Sequence, residues 1–193
     1  MPSKRQLQKE ITRKKIIETA YHVYSEQGFN ATTATIAREA GLSHGAIFVH
    51  FPSLEDLMTC LIEEFGLLLA SELHSLVEAN KSMEELLNIY LDVLSKHEQF
   101  YSRLITERSR LPKEVRLTLA NMQSVIAHHF NHALEHEMDK NTIKKLPVHM
   151  IFNTWMGLTH YYLLNKELFS PDEPVLERYR NDIVATFLEL IKK

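Results

Sequence analysis

The chain has 193 residues, 45% of them hydrophobic and 24% charged, with a formal net charge of −3. That is enough apolar material for one large domain, or a small one beside a larger one. A single cysteine, Cys60, excludes an internal disulfide and a cysteine-rich zinc site.

Only five glycines and six prolines stand among many Leu, Glu, Lys, Ala and His, and no alternating Val/Ile/Thr run reads as a strand. An all-α chain of about nine helices is expected. No signal peptide and no apolar run long enough to span a bilayer is visible, so a cytoplasmic protein with no membrane partner is expected. The charge is uneven. Residues 1–52 hold seven Lys/Arg against four Asp/Glu, net +3, and the remainder is net −6. A basic amino-terminal unit on an acidic body suits a protein that presents one end to phosphates.

The first helix is expected over residues 8–27, with Ile16, Ala20, Val23 and Tyr24 as its apolar stripe and Gly28 at its end. Lys4, Arg5, Lys9, Arg13, Lys14 and Lys15 cluster at its front. After a loop at 30–32, Thr33 caps a short second helix whose inward residues are Ile36, Ala37 and Ala40. Gly41 supplies the left-handed turn. Ser43 caps a third helix with Ala46, Ile47 and Phe51 inward, and Pro52 stops it. Two short helices about a glycine-led turn form the helix-turn-helix of DNA-binding proteins, although TIAREAGLS alone also fits any pair of antiparallel helices. The first helix then backs the two short ones.

Contacts to DNA follow by physical role. Backbone N–H groups and hydroxyls near Thr33 and Ser43 face phosphate. Thr35, His44, Gly45 and Ala46 lie where base edges are read, His44 to Ala46 being small or weakly charged so that the backbone can approach. His50 donates to phosphate, Phe48 packs on a sugar or a thymine methyl, and Lys14 and Arg38 are phosphate partners.

A fourth helix is expected over 53–79, opened by a Ser53/Asp56 capping box and buried through Leu57, Leu61, Phe65, Leu68 or Leu69, and Leu76. It is long enough to link the head to the body. Asn80 and Lys81 form a break, and Ser82 with Glu85 caps a fifth helix carrying Leu86, Leu87, Tyr90, Leu91 and Leu94. A sixth helix is expected at 96–109. A seventh starts with Pro112 at its first position and runs to about residue 138, and 139–145 is polar loop. An eighth spans 147–165, and a ninth ends the chain after a break at Ser170, Pro171, Asp172 and Pro174. The last two helices are apolar over more than one face, which calls for a second surface to meet. Met150, Thr154, Gly157, Leu158 and Tyr162 on one, and Ile183, Val184 and Phe187 on the other, are expected to form a four-helix homodimer interface. The alternative is that both helices are internal core. A dimer places two recognition helices roughly 34–36 Å apart, or somewhat more, and calls for a near-palindromic operator.

Eleven histidines are present, and His128, His132 and His136 share one face of the seventh helix. The outer two lie about 12 Å apart along the axis, so all three cannot grip one ion at metal–nitrogen bonds of about 2 Å. One pair with a ligand from elsewhere, such as His97, His149 or His160, leaves a metal-sensing or metal-binding protein as the alternative function. A polar, pH-sensitive face is the plainer reading, and no metal site and no cofactor is expected. No Ser/His/Asp array, paired carboxylate or phosphate loop is visible, so an enzyme is not expected.

From Arg13 to Leu57 the chain resembles the amino-terminal domain of the TetR family of transcriptional regulators. The resemblance rests on Arg13, Ile16, Ile17, Ala20, Gly28-Phe29, Thr32-Thr33, Ile36-Ala37, Ala40-Gly41-Leu42-Ser43, Gly45, Phe48, His50-Phe51, Ser53, Glu55 and Leu57. Two positions depart from the family: Phe48 stands where a tyrosine is usual, losing a phosphate hydrogen bond, and Leu54 where a lysine is usual, losing a cationic contact. The resemblance implies a helix-turn-helix domain over 1–52 and a helical effector-binding and dimerisation domain over 53–193. It implies a ligand-responsive repressor, released from its double-stranded DNA operator when a small molecule enters a pocket among the fourth to eighth helices. Candidate walls are Phe65, Leu69, Tyr90, His97, Tyr101, Met122, Ile126, Phe130, Phe152 and Trp155.

Overall fold

The computed structural model describes residues 3–79 and 81–193. Asn80, half of the expected break after the fourth helix, lies outside them, and Lys81 is outside any helix. Among the described residues there are eleven α-helices, one short 3-10 turn and no strand. The lone β-bridge joins Ile143 to Lys192. The all-α fold is as expected. No helix among the described residues is long and apolar enough to cross a membrane.

The helices are α1 Lys4–Gln27, α2 Thr33–Glu39, α3 His44–His50, α4 Leu54–Glu78, α5 Met83–Lys96, α6 Glu98–Thr106, α7 Lys113–Asp139, α8 Val148–Leu164, α9 Lys166–Phe169, α10 Val175–Arg178 and α11 Arg180–Ile191. Eleven replace the expected nine because the last two break. At Asn165 both the backbone N–H and the side-chain amide donate to the Tyr161 carbonyl, at 3.1 and 2.8 Å, and the backbone turns to φ −116°, which separates α8 from α9. Tyr179, at φ −99° and ψ 10°, divides α10 from α11. The first helix also begins earlier than expected, because Ser3 and Gln6 form a capping box that holds its first turn. Similarly, α6 is shorter than 96–109: His97 interrupts the helix before it, and a 3-10 turn at Arg108–Arg110 follows it. Pro112 precedes α7 and its carbonyl accepts from Arg116 N–H, one position earlier than expected.

The chain divides into two compact units, 1–64 with 99–119, and 65–98 with 120–193. In the first, Ile16, Ala20, Tyr24, Ile36, Ile47 and Leu57 are at most 1% exposed and form the core under the short helices. The 99–119 segment clasps the end of α1. Phe100 packs on Tyr21 and Phe29 with ring centroids 4.8 and 5.8 Å apart, and Arg103 donates to the Glu26 carbonyl at 3.1 Å. Glu107, buried, accepts from the Phe29 N–H at 2.9 Å. Gly28 allows this approach: it sits at φ +81°, and a Cβ there would lie 2.4 Å from the Glu107 carboxylate.

In the second unit α10 and α11 pack on α5 and α8. The core is a run of rings. Tyr90 meets Phe130 at 5.4 Å and Trp155 at 5.8 Å, Phe130 meets Phe152 at 5.4 Å, and Trp155 meets Phe187 at 5.0 Å. Such edge-on pairs add to their burial. Glu98, 4% exposed, accepts from the N–H groups of Val175 and Leu176, both at 3.1 Å, and pairs with Lys166 at 3.0 Å. A buried carboxylate so supplied starts the short α10, whose own residues offer no side-chain cap.

Candidate nucleic-acid interface

The two short helices meet as a turn built by local chemistry. Thr32, not Thr33, is the N-cap of α2: its backbone is extended and its hydroxyl accepts from the Thr35 N–H at 3.2 Å. Either threonine satisfies the cap rule in the sequence, and the shift by one residue makes Thr33 the first helical residue. Ile36, Ala37 and Ala40 are buried as expected. Gly41 takes φ +62° and closes the turn, with Leu42 N–H on the Ala37 carbonyl at 2.9 Å. Ser43 has the N-cap backbone of α3, but its hydroxyl makes no cap hydrogen bond.

Of the expected inward residues of α3, Ile47 and Phe51 are buried at 1% and 3%, while Ala46 is only half-buried. A seven-residue helix pinned by so few residues leaves its other face open. His44 and Gly45 are exposed, Phe48 is 44% exposed and Val49 is 67% exposed. A Cβ at Gly45 would meet nothing within 4 Å, so this stretch of backbone borders open space. Val49 is a surface residue the sequence reading missed, although its alternation with Ile47 signals it. His44 is held from two sides: its Nε2 lies 2.8 Å from the Thr33 hydroxyl and its ring stands edge-on to Phe48 at 5.2 Å.

Thr35 is half-buried. Lys14 and Arg38 are exposed and, among the described residues, pair with neighbouring acids, Glu18 at 3.7 Å and Glu39 at 3.0 Å, contacts that solvent screens. His50 is half-buried beside the cations of α1. Burial first, then Lys9 and Arg13, holds its imidazolium form down, and its Nδ1 finds no partner among the described residues. Arg13 lies over the Phe51 ring at 4.9 Å and donates to the Cys60 sulfur at 3.0 Å. Burial pushes that thiol pKa up, as suits a packed cysteine.

The other sets fall in the helical body. Phe65, Leu69, Tyr90, Met122, Ile126, Phe130, Phe152 and Trp155 are buried in the second unit, and Tyr101 is buried in the first. His97 is half-buried against Phe65, with ring centroids 5.5 Å apart. Burial, then Lys96, lowers its pKa. It also lines a recess of about 200 Å³ with Leu68, Ile89, Val93 and Lys96.

The interface set divides. Met150, Thr154 and Gly157 are exposed and Leu158 and Tyr162 half-buried, and with Tyr161 and Leu164 they make an outward stripe on α8. Ile183, Val184 and Phe187 are instead buried within the chain at 1%, 4% and 1%, because α11 turns its widest apolar face onto α5 and α8. The side chains of these three are thus covered by the chain itself, whereas the exposed α8 residues are not. Among the described residues no three His, Cys, Asp or Glu side chains gather as metal ligands. On α7 the His129 ring meets another element, lying 5.6 Å from His74 on α4.

Residues 16–59 match the family model for bacterial regulatory proteins of the tetR family. Over 53 residues the chain is 38% identical to the HTH-type transcriptional regulator YuxN of Bacillus subtilis, covering 27% of this chain and 18% of that one. Over 102 residues it is 30% identical to YerO of the same organism, also an HTH-type transcriptional regulator, covering 49% and 35%. The chain thus matches well under two thirds of the length of these relatives. The fold is similar over nearly the whole chain to the transcriptional regulator FadR from Bacillus subtilis in complex with stearoyl-CoA. The TM-score is 0.78 at 17% identity, with 92% of this chain and 98% of that one covered.

Proposed function

We propose that this chain is a member of the TetR family of bacterial regulatory proteins, whose model matches residues 16–59, and that it is a transcriptional repressor that holds a near-palindromic DNA operator as a homodimer. A small-molecule effector with an apolar part, entering the helical body, releases it. In this reading residues 1–52 bind DNA and residues 53–193 bind effector and partner. The chain acts by binding rather than by chemistry.

One observation carries the proposal: a short helix fixed by Ile47 and Phe51 offers His44, Gly45, Phe48 and Val49 to solvent, and the cations Lys14 on α1 and Arg38 on α2 are exposed in the same unit. Cations position a duplex through its phosphates, and the helix face reads base edges. The α8 stripe of Met150, Thr154, Gly157, Tyr161 and Leu164 supports a self-complementary contact. The aromatic core around Phe130 and Trp155 supports an effector with an apolar part, as does the acyl chain of the stearoyl-CoA bound by FadR. Release would be a population shift: effector favours a spacing of the two heads that no longer fits both half-sites.

Binding to a fragment pool of duplex DNA, followed against salt, tests the proposal. A steep fall of affinity with salt is expected. Lys14→Ala should weaken all sequences alike, whereas His44→Ala should change which sequences are preferred. Stearoyl-CoA serves as the effector probe, with emission of the single tryptophan, Trp155, as the readout. A monomer with no affinity for any duplex in dilute buffer refutes the reading.

A further inference from the structure

The side chain that opens the recognition helix is already engaged. Thr33 begins α2 and His44 begins α3, and Thr33 Oγ1 lies 2.8 Å from His44 Nε2. Elsewhere in the chain Thr12, Thr118 and Thr154 turn their hydroxyls back to the carbonyl four residues earlier, at 3.0, 3.1 and 2.8 Å. Thr33 is the first residue of its helix and has no helical carbonyl one turn back. Its hydroxyl proton is therefore available to the imidazole across the turn.

If that proton goes to Nε2, the neutral ring carries its own proton on Nδ1. The Phe48 ring, edge-on at 5.2 Å, limits rotation from the other side. His44 then presents one N–H donor in a fixed direction, and the ring is solvent-exposed. In the major groove a lone donor is best met by guanine, which offers N7 and O6 side by side. Adenine is a poorer match because its N7 adjoins its own N6 donors.

Resting on the DNA-binding reading above, we infer that Thr33 is not a phosphate contact. It is a positioning residue that sets the tautomer and direction of His44, so that each head selects guanine at one base pair. The specificity of this chain is thus divided between α2 and α3.

The full chain is first used to select an operator from a random duplex pool. Affinity is then measured for every single-base-pair variant of one half-site. Wild type should prefer guanine at one position, and His44→Ala should erase that preference. Thr33→Val should cut it roughly tenfold at the same position, Thr33→Ser should retain it, and Thr33→Val should add nothing in a His44→Ala background. The inference is overturned if Thr33→Val weakens all duplexes evenly, or if Thr33→Ser behaves like Thr33→Val. A lowered melting temperature in Thr33→Val that Thr33→Ser does not restore also overturns it. Failure of the DNA-binding reading looks different: wild type then selects no duplex at all.

Discussion

Replacing Gly28 with alanine tests the clasp on the end of α1. Two costs follow from the structure. The backbone at φ +81° and ψ 174° is one that residues with a Cβ rarely adopt, and forcing alanine into it costs about 1–3 kcal/mol. The new methyl would also lie 2.4 Å from Glu107 Oε1 and 3.1 Å from Cδ. The carboxylate must withdraw, stripping the buried Phe29 N–H of its acceptor at a cost of about 1–3 kcal/mol. Together these reach about 2–6 kcal/mol, against a total stability of about 5–15 kcal/mol for a typical domain. In urea, with a slope of about 1–3 kcal/mol per molar, the midpoint should fall by about 1 M or more. Placing Gly28→Ala in a Glu107→Ala background removes the clash and leaves the backbone cost, so the second substitution should then hurt much less. An unchanged urea midpoint for Gly28→Ala, or full additivity of the two substitutions, would refute the reasoning.

Three further outcomes are expected. Phe48→Tyr adds a hydroxyl to a ring that is 44% exposed on the reading face. It should tighten duplex binding by about 0.5–1.5 kcal/mol, measured by fluorescence anisotropy, and unchanged affinity would remove Phe48 from the phosphate path. Tyr161→Glu places a charge on the open α8 stripe, where Tyr161 is 56% exposed. Self-association by sedimentation should weaken by about 2 kcal/mol or more, while the melting temperature of dilute protein stays put. His97 and His129 have lowered pKa values, His97 through burial and then Lys96, and His129 through burial and then His74, His128 and His132. The folded chain therefore disfavours their charged forms. The stability they contribute is complete above the ordinary histidine value of about 6.5 and is lost as pH falls from there through the lowered values. Melting temperatures on either side of that value should differ in wild type and converge in a His97→Gln/His129→Gln variant.

The helix-turn-helix was legible because its signals are local. Gly41, the Ile36/Ala37/Ala40 face and Pro52 all lie within one short stretch and need no distant partner. The limit of such signals shows at Thr32 and Thr33, where two adjacent hydroxyls satisfy the same rule and only the backbone decides between them. The start of α1 carried a readable sign in Ser3 and Gln6, but its first turns lack the apolar period that draws attention to a helix. Ile183, Val184 and Phe187 mark an apolar face without saying whether the chain or a second copy covers it. Glu98 and Glu107 were beyond reach. Each is a carboxylate in a sequence full of them, and each is buried only because backbone donors 77 or 78 residues away come to it.

That separation has a kinetic consequence. The first two amides of α10 take their acceptor from the start of α6, so α10 cannot nucleate on its own four residues. Closing so long a loop must come before the reward, which makes the carboxyl-terminal pair a late arrival in refolding. In pulse-labelled hydrogen exchange the Val175 and Leu176 amides should gain protection after those of α5, whose cap is its own Ser82 and Glu85. Docking of α10 and α11, rather than formation of the first helices, would then mark the moment at which this molecule becomes resistant to proteases.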